Sequence, residues 1–150
     1  MYAIFLSLHN IIRWVALILG LLAAIFAFIG WFGKREWSER YRKLGSFFTI
    51  TMDIQILFGL LLYIAFSPIT RLALSNFGSA IASKNLRFFS VEHGVYMLIA
   101  LVFAHLGSIL PRKISESSGK YKRAAIFFGL AVLLLLLGMP WGRPIFPGLG

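Results

Sequence analysis

The sequence predicts an all-α integral membrane protein, a four-helix bundle of up-down-up-down topology with both termini on the outer, periplasmic side. Three observations carry that prediction. Hydrophobic residues make up 59% of the 150 and charged residues only 13%, where a soluble domain would carry roughly a quarter charged. The apolar residues gather into four runs, about 4–33, 44–66, 88–110 and 124–139, and a helix needs about 20 such residues to cross a bilayer. The formal net charge of +10 is concentrated in two places, between runs one and two and between runs three and four. The length suits a single four-span domain over 1–150.

The first run opens without a basic flank or a small-residue cleavage site, so it reads as a retained span and not as a secretory signal. His9, Asn10 and Arg13 stand near its start, before the uninterrupted apolar part that begins at Trp14. The connection 34–43 is short, basic and partly helical. The second run carries Asp53 and Gln55, and Pro68 stops it. Loop 67–87 holds two mildly amphipathic pieces around 75–78 and reads as lying on the membrane surface. The third run carries Glu92, His93 and His105 and is closed by Pro111. Loop 112–123 is polar and basic. The fourth run contains five consecutive leucines and no charge, and the tail after it, with Pro140, Pro144 and Pro147, cannot be helical.

Orientation follows from the cations. Loops one and three hold Lys34, Arg35, Arg40, Arg42, Lys43, Arg112, Lys113, Lys120, Lys122 and Arg123, while the termini and loop two hold Arg71, Lys84, Arg87 and Arg143. The positive-inside rule puts loops one and three in the cytoplasm. Cations placed beside apolar runs point to the lipid bilayer as partner and away from nucleic acid. Absence of cysteine excludes disulfides, thiolate metal sites and a cysteine nucleophile. No phosphate loop, zinc signature, nucleophile elbow or pair of catalytic carboxylates is present. The chain therefore shows no hydrolase or transferase machinery and is at most an electron-transfer component.

Ionisable groups are costly at bilayer depth, so each is a candidate functional site. Spans one and three sit diagonally in an antiparallel bundle, with His9 and His93 both near their outer ends. Two imidazoles facing across a bundle can hold a haem iron from both sides, as in b-type cytochromes. Counting inward from Gly33 and Leu110 at ~1.5 Å per residue gives a second arrangement. His9 then stands roughly 10 Å higher than His93, and Arg13 is level with Glu92 to within ~3 Å. In that case Arg13 pairs with Glu92 and His93 hydrogen-bonds nearby. His105 follows His93 by twelve residues, ~120° round the helix and ~18 Å along it, and no fourth histidine exists to form a second bis-histidine site. Met52 or Met97 could serve as a weaker axial ligand. Asp53 reaches a depth within ~5 Å of His105, and the pair is either a proton relay or quinone head-group site or a packing hydrogen bond. Gln55 reads as packing. Trp14, Trp31, Trp37 and Trp141 form an interfacial belt. Gly20, Gly30, Gly59, Gly94 and Gly107 allow close helix approach, and Gly94 beside His93 can make room for a planar cofactor.

Three pieces, LHNIIRW in span one, DIQILFGLLLY in span two and VEHGVYMLIALVFAHLG in span three, occur together with Pro140–Trp141 after span four. This pattern resembles small bacterial four-helix membrane proteins described as cytochrome b-like. The resemblance implies a multi-pass protein of the bacterial inner membrane with haem b held by His9 and His93. It also implies Arg13 as a supporting charge, and His105 as a ligand or a proton-handling group. The expected function is that of a small b-type cytochrome-like protein moving electrons in the respiratory chain near the quinone pool. Asp53, His105 and Glu92 are then the candidates for proton handling or a quinone site. The alternative is a cofactor-free accessory subunit of a larger respiratory or photosynthetic membrane complex, its polar residues serving as interhelical and intersubunit contacts.

Overall fold

The computed structural model describes residues 1–143; Pro144 and Pro147 lie outside the described residues. Each apolar run forms a long helix, and the polar residues at several ends extend it. Helix α1 is Tyr2–Phe32. Helix α2, Glu39–Leu61, continues through a π-helical turn, Leu62–Phe66. Three short helices follow, α3 (Pro68–Ser75), α4 (Phe77–Ala82) and α5 (Lys84–Arg87). A second π turn, Phe88–Glu92, leads into α6, His93–Ile109, which ends in a 3-10 turn over Leu110–Lys113. Helix α7 is Ser117–Gly138. No strand occurs among the described residues. Four segments, Tyr2–Phe32, Glu39–Phe66, Lys84–Lys113 and Ser117–Gly138, are each long and apolar enough to cross a membrane.

Local chemistry sets the ends. Lys34 takes φ +48°, which lets the Arg35 N–H reach back to the Gly30 carbonyl (3.0 Å) and the Lys34 N–H to that of Trp31 (3.3 Å). That pair of bonds is the Schellman closure of α1. Ser38 caps α2 by accepting from the Tyr41 N–H, with Glu39 in the first turn where the helix dipole favours an acid. Pro68 does two jobs: it cannot continue α2, and at the first turn of α3 its missing N–H costs nothing.

Helices α1 and α6 each pack against α2 and α7 and lie diagonally to one another. The contact faces are built from small residues into which aromatic rings fit. Ala16, Gly20, Ala23, Ala27 and Gly30 make a buried stripe along α1, and Phe48 of α2 and Tyr121 of α7 press on Gly20 and Gly30. Phe128 of α7 inserts between Gly45 of α2 and Gly107 of α6. Backbones brought close in this way gain van der Waals contact, the attraction that holds helices together where lipid is the solvent. The outward faces of α1, α2, α6 and α7 are apolar, with Ile18, Ile25, Ile50, Leu57, Leu98, Val102 and Leu133 all exposed; polar groups are confined to a few positions.

The two basic connections meet at one end of the bundle. Trp37 packs against Tyr41 and Tyr121, with ring centres 4.7 and 4.8 Å away. The Tyr41 hydroxyl donates to the Ala23 carbonyl (3.0 Å) and the Tyr121 hydroxyl to that of Glu36 (3.1 Å). The Trp37 N–H donates to Ser117 Oγ (3.0 Å). Trp31 stands at this basic end, where Lys122 lies over its ring, while Trp14 and Trp141 meet nearer the other end, 6.3 Å between ring centres.

Candidate functional site: a histidine-lined cavity

Both π turns lie at the end opposite the basic connections. A π turn fits one extra residue into a helical turn, and such turns occur frequently at functional sites. Here the Ser67 N–H reaches the Leu62 carbonyl (2.8 Å), and the His93 N–H reaches that of Phe88. The two turns are tied together by Tyr63, whose hydroxyl donates to the Ser90 carbonyl (2.8 Å). Thr70 of α3 donates to the Tyr63 carbonyl (2.9 Å). Between these turns and the start of α1 lies a cavity of about 360 Å³. Its wall is mainly apolar, and its polar members include His9, Asn10, Gln55, His93 and Arg143.

The His9 and His93 rings converge here, with centres 6.2 Å apart and planes at 73°. Counting residues from the basic ends puts them roughly 10 Å apart in height. That count stops the third helix at Leu110, whereas a 3-10 turn carries it to Lys113. At ~2 Å per residue the added turn removes about 6 Å of the offset. His93 Nδ1–H donates to the Gly138 carbonyl at 2.7 Å. A carbonyl can only accept, so Nδ1 carries the proton and, in the neutral ring, Nε2 carries the lone pair. Metal-ligating histidines are commonly oriented by a bond of this kind.

His9 Nε2 is 3.2 Å from the side-chain amide of Gln55, and His9 Nδ1 is buried without a hydrogen-bond partner. The atom in contact is Gln55 Nε2, and an amide nitrogen can only donate, so His9 Nε2 holds the lone pair and Nδ1–H is the buried group without a partner, as is Gln55 Oε1. Gly59 lies against the His9 ring, where a Cβ would come 3.3 Å from Cε1. At Gly94, beside His93, a Cβ would meet nothing within 4 Å.

Two arginines flank the imidazoles. Arg13 is 6% exposed; its Nη1 donates to the Pro140 carbonyl at 3.5 Å, and its Nε has no partner. Arg143 lies over the Phe89 ring at 4.2 Å. The Arg13–Glu92 pair that the residue count suggested does not form. Glu92 instead accepts from Arg87 at 2.6 Å, because residues five apart stand one above the other across a π turn. Among the described residues no carboxylate lies within 4 Å of Arg13 or Arg143. A smaller void, about 10 Å³, is lined in part by Arg13, Gln55 and His93.

Asp53 and His105 do meet: His105 Nε2–H donates to Asp53 Oδ1 at 2.9 Å. The pair faces outward from the α2–α6 seam, 48% and 42% exposed respectively, and takes no part in the cavity. Of the two methionines considered as ligands, Met97 lines the cavity and Met52 is fully buried in the core.

No protein-family model, curated protein or solved structure matches the chain.

The donor set itself narrows the chemistry. Among the described residues no three His, Asp or Glu side chains gather where they could hold a metal ion. A bare ion would thus lack the three or four protein ligands it ordinarily takes. Haem iron brings four ligands with it and needs two more. Imidazoles on opposite sides of one metal have ring centres about 6 Å apart, since each metal–nitrogen bond is about 2 Å. The observed separation, the open side of Gly94 and an apolar cavity within the ~300–1,000 Å³ range of cofactor sites fit such a group, and turning the Gln55 amide over would put the proton on His9 Nε2 and free the unpartnered Nδ1 to ligate.

The site also contains residues that sequence reasoning did not assign to it. Gln55 and Gly59 sit four apart on α2, so they share the face that meets His9; that spacing was a readable signal. Arg143 follows Pro140–Trp141 and was readable only as an isolated charge. The Gly138 carbonyl left no signal, since a backbone acceptor is invisible in residue type.

Proposed function

We propose that the chain is a multi-pass protein of the bacterial inner membrane and acts as a small b-type cytochrome-like electron carrier near the quinone pool. In this reading Tyr2–Phe32, Glu39–Phe66, Lys84–Lys113 and Ser117–Gly138 span the bilayer, the basic connections face the cytoplasm and both termini face outward. Tryptophans grouped as Trp31 with Trp37 and as Trp14 with Trp141 support the two interfaces. The observation that carries the function is the convergence of His9 and His93, 6.2 Å between ring centres, at a mainly apolar cavity.

His9 and His93 would hold haem b, which when bound supplies a one-electron couple without an open coordination position. The chain's own residues prepare the site. Gly138 fixes the His93 tautomer, and Gln55, with its amide turned over, would fix that of His9. Gly59 lets the His9 ring lie close to α2. Arg13 and Arg143 supply positive charge suited to carboxylate side groups on the bound molecule. The apolar wall limits water and so strengthens these interactions. Protein purified in mild detergent from a haem-replete host is expected to show a Soret band and a reduced-minus-oxidised α-band. Colourless, folded protein would overturn the proposal.

A further inference from the structure

The outward-facing pair Asp53–His105 is left unused by the cavity. Asp53 lies ten residues beyond Lys43, ~15 Å along α2, and His105 seven residues before Arg112, ~10 Å along α6. Around them the exposed residues are apolar: Ile50, Ile54 and Leu57 on α2, and Leu98, Val102 and Ile109 on α6. If the chain spans a membrane, as proposed above, a half-exposed acid–base pair stands well inside the hydrocarbon. Ionisable groups at that depth almost always face a protein partner or a water-filled cavity, not lipid. Their bond uses one carboxylate oxygen and one ring N–H; Asp53 Oδ2 can still accept, and in the imidazolium form His105 can still donate through Nδ1–H, which makes the pair an ion pair with one donor and one acceptor to spare.

The arrangement is self-complementary. The two groups stand at one height, one on each of two neighbouring helices. A two-fold axis parallel to the bundle sets α2 of one copy against α6 of another, because rotation by half a turn exchanges left and right on facing surfaces. Asp53 of each copy then faces His105 of the other, and acids and bases alternate around a ring of four. A two-fold contact of this isologous kind is the commonest way identical chains associate. We propose that the α2–α6 face is the interface of a homodimer closed by reciprocal Asp53–His105 contacts.

The chain has no cysteine, so single-cysteine cross-linking in native membranes tests this directly. Val102→Cys and Leu57→Cys, on the proposed face, are expected to give a cross-linked species of twice the chain mass with a short bismaleimide, because like positions stand diagonally across the axis, beyond the reach of a direct disulfide. Ile25→Cys, exposed on α1, is expected to give none. Asp53→His on the Val102→Cys background should reduce the linked species several-fold, since histidine then faces histidine. Adding His105→Asp to that variant restores alternation and should restore linking. Linking no greater than that of Ile25→Cys, an adduct with a different protein, or linking indifferent to Asp53→His would each overturn the dimer. Alkaline carbonate extraction of the same membranes separates the two readings. Release of the chain removes the membrane proposal, whereas a retained but unlinked chain removes the dimer alone.

Discussion

A missing methyl group decides several contacts in this bundle. A Cβ at Gly107 would stand 2.6 Å from the Phe128 ring, and Phe128 is fully buried, so the ring has nowhere to swing. Gly107→Ala is expected to cost about 1–3 kcal/mol through overpacking, read as a lowered midpoint of thermal unfolding in detergent. Gly94→Ala adds the same methyl where nothing lies within 4 Å, inside α6, and should raise that midpoint slightly, stabilising by about 0.4–1 kcal/mol, as the unfolded chain loses freedom. At Gly59 the neighbour is His9 itself, so Gly59→Val should push the ring aside and lower haem occupancy while the fold persists. Arg13 acts through charge. Positive charge near the iron favours the reduced state, so Arg13→Gln is expected to lower the midpoint potential, by on the order of tens of millivolts. An unchanged potential would place the Arg13 charge outside the reach of the iron.

At the scale of helices, hydropathy made the four long elements legible and concealed their ends. Lys84–Arg87 and Ser117–Arg123 are helical, yet they are polar, and the apolar signal stops where the polar turns begin; of the polar turns the sequence predicts only Glu39–Lys43, the helical part of the connection 34–43. The π turns were not legible at all, because an i→i+5 bond leaves no mark in composition. Their extra residue is what turns Glu92 to Arg87 instead of Arg13. The Asp53–His105 contact was readable because both lie in long regular helices where 1.5 Å per residue holds. Two predictions belong here. Thr49 of α2 hydrogen-bonds Ser108 Oγ (2.6 Å) and the Ala104 carbonyl (3.2 Å) of α6. Thr49→Val should therefore cost about 0.6 kcal/mol, and at most about 1.7, as interhelical bonds in membranes do. Lys34 holds a left-handed conformation at the end of α1, so Lys34→Gly should stabilise by about 1 kcal/mol. Both are read from unfolding in detergent.

For the whole molecule, charge asymmetry and cavity placement give one arrangement: basic connections tied by Trp37, Tyr41 and Tyr121 at one end, and paired imidazoles between two π turns at the other. The sequence named both histidines, but their approach depended on helix ends that counting could not place. The proposed orientation is testable through cysteine labelling of intact cells. Asn76→Cys should react with an impermeant maleimide from outside, and Arg35→Cys only after the membrane is opened. The most direct measurement of the central claim is the low-temperature EPR spectrum of the oxidised protein. Two imidazoles on one haem iron predict a low-spin signal, converted to high-spin or lost in both His9→Ala and His93→Ala. A low-spin signal unchanged by either substitution, or no haem signal in folded wild-type protein, would contradict the account.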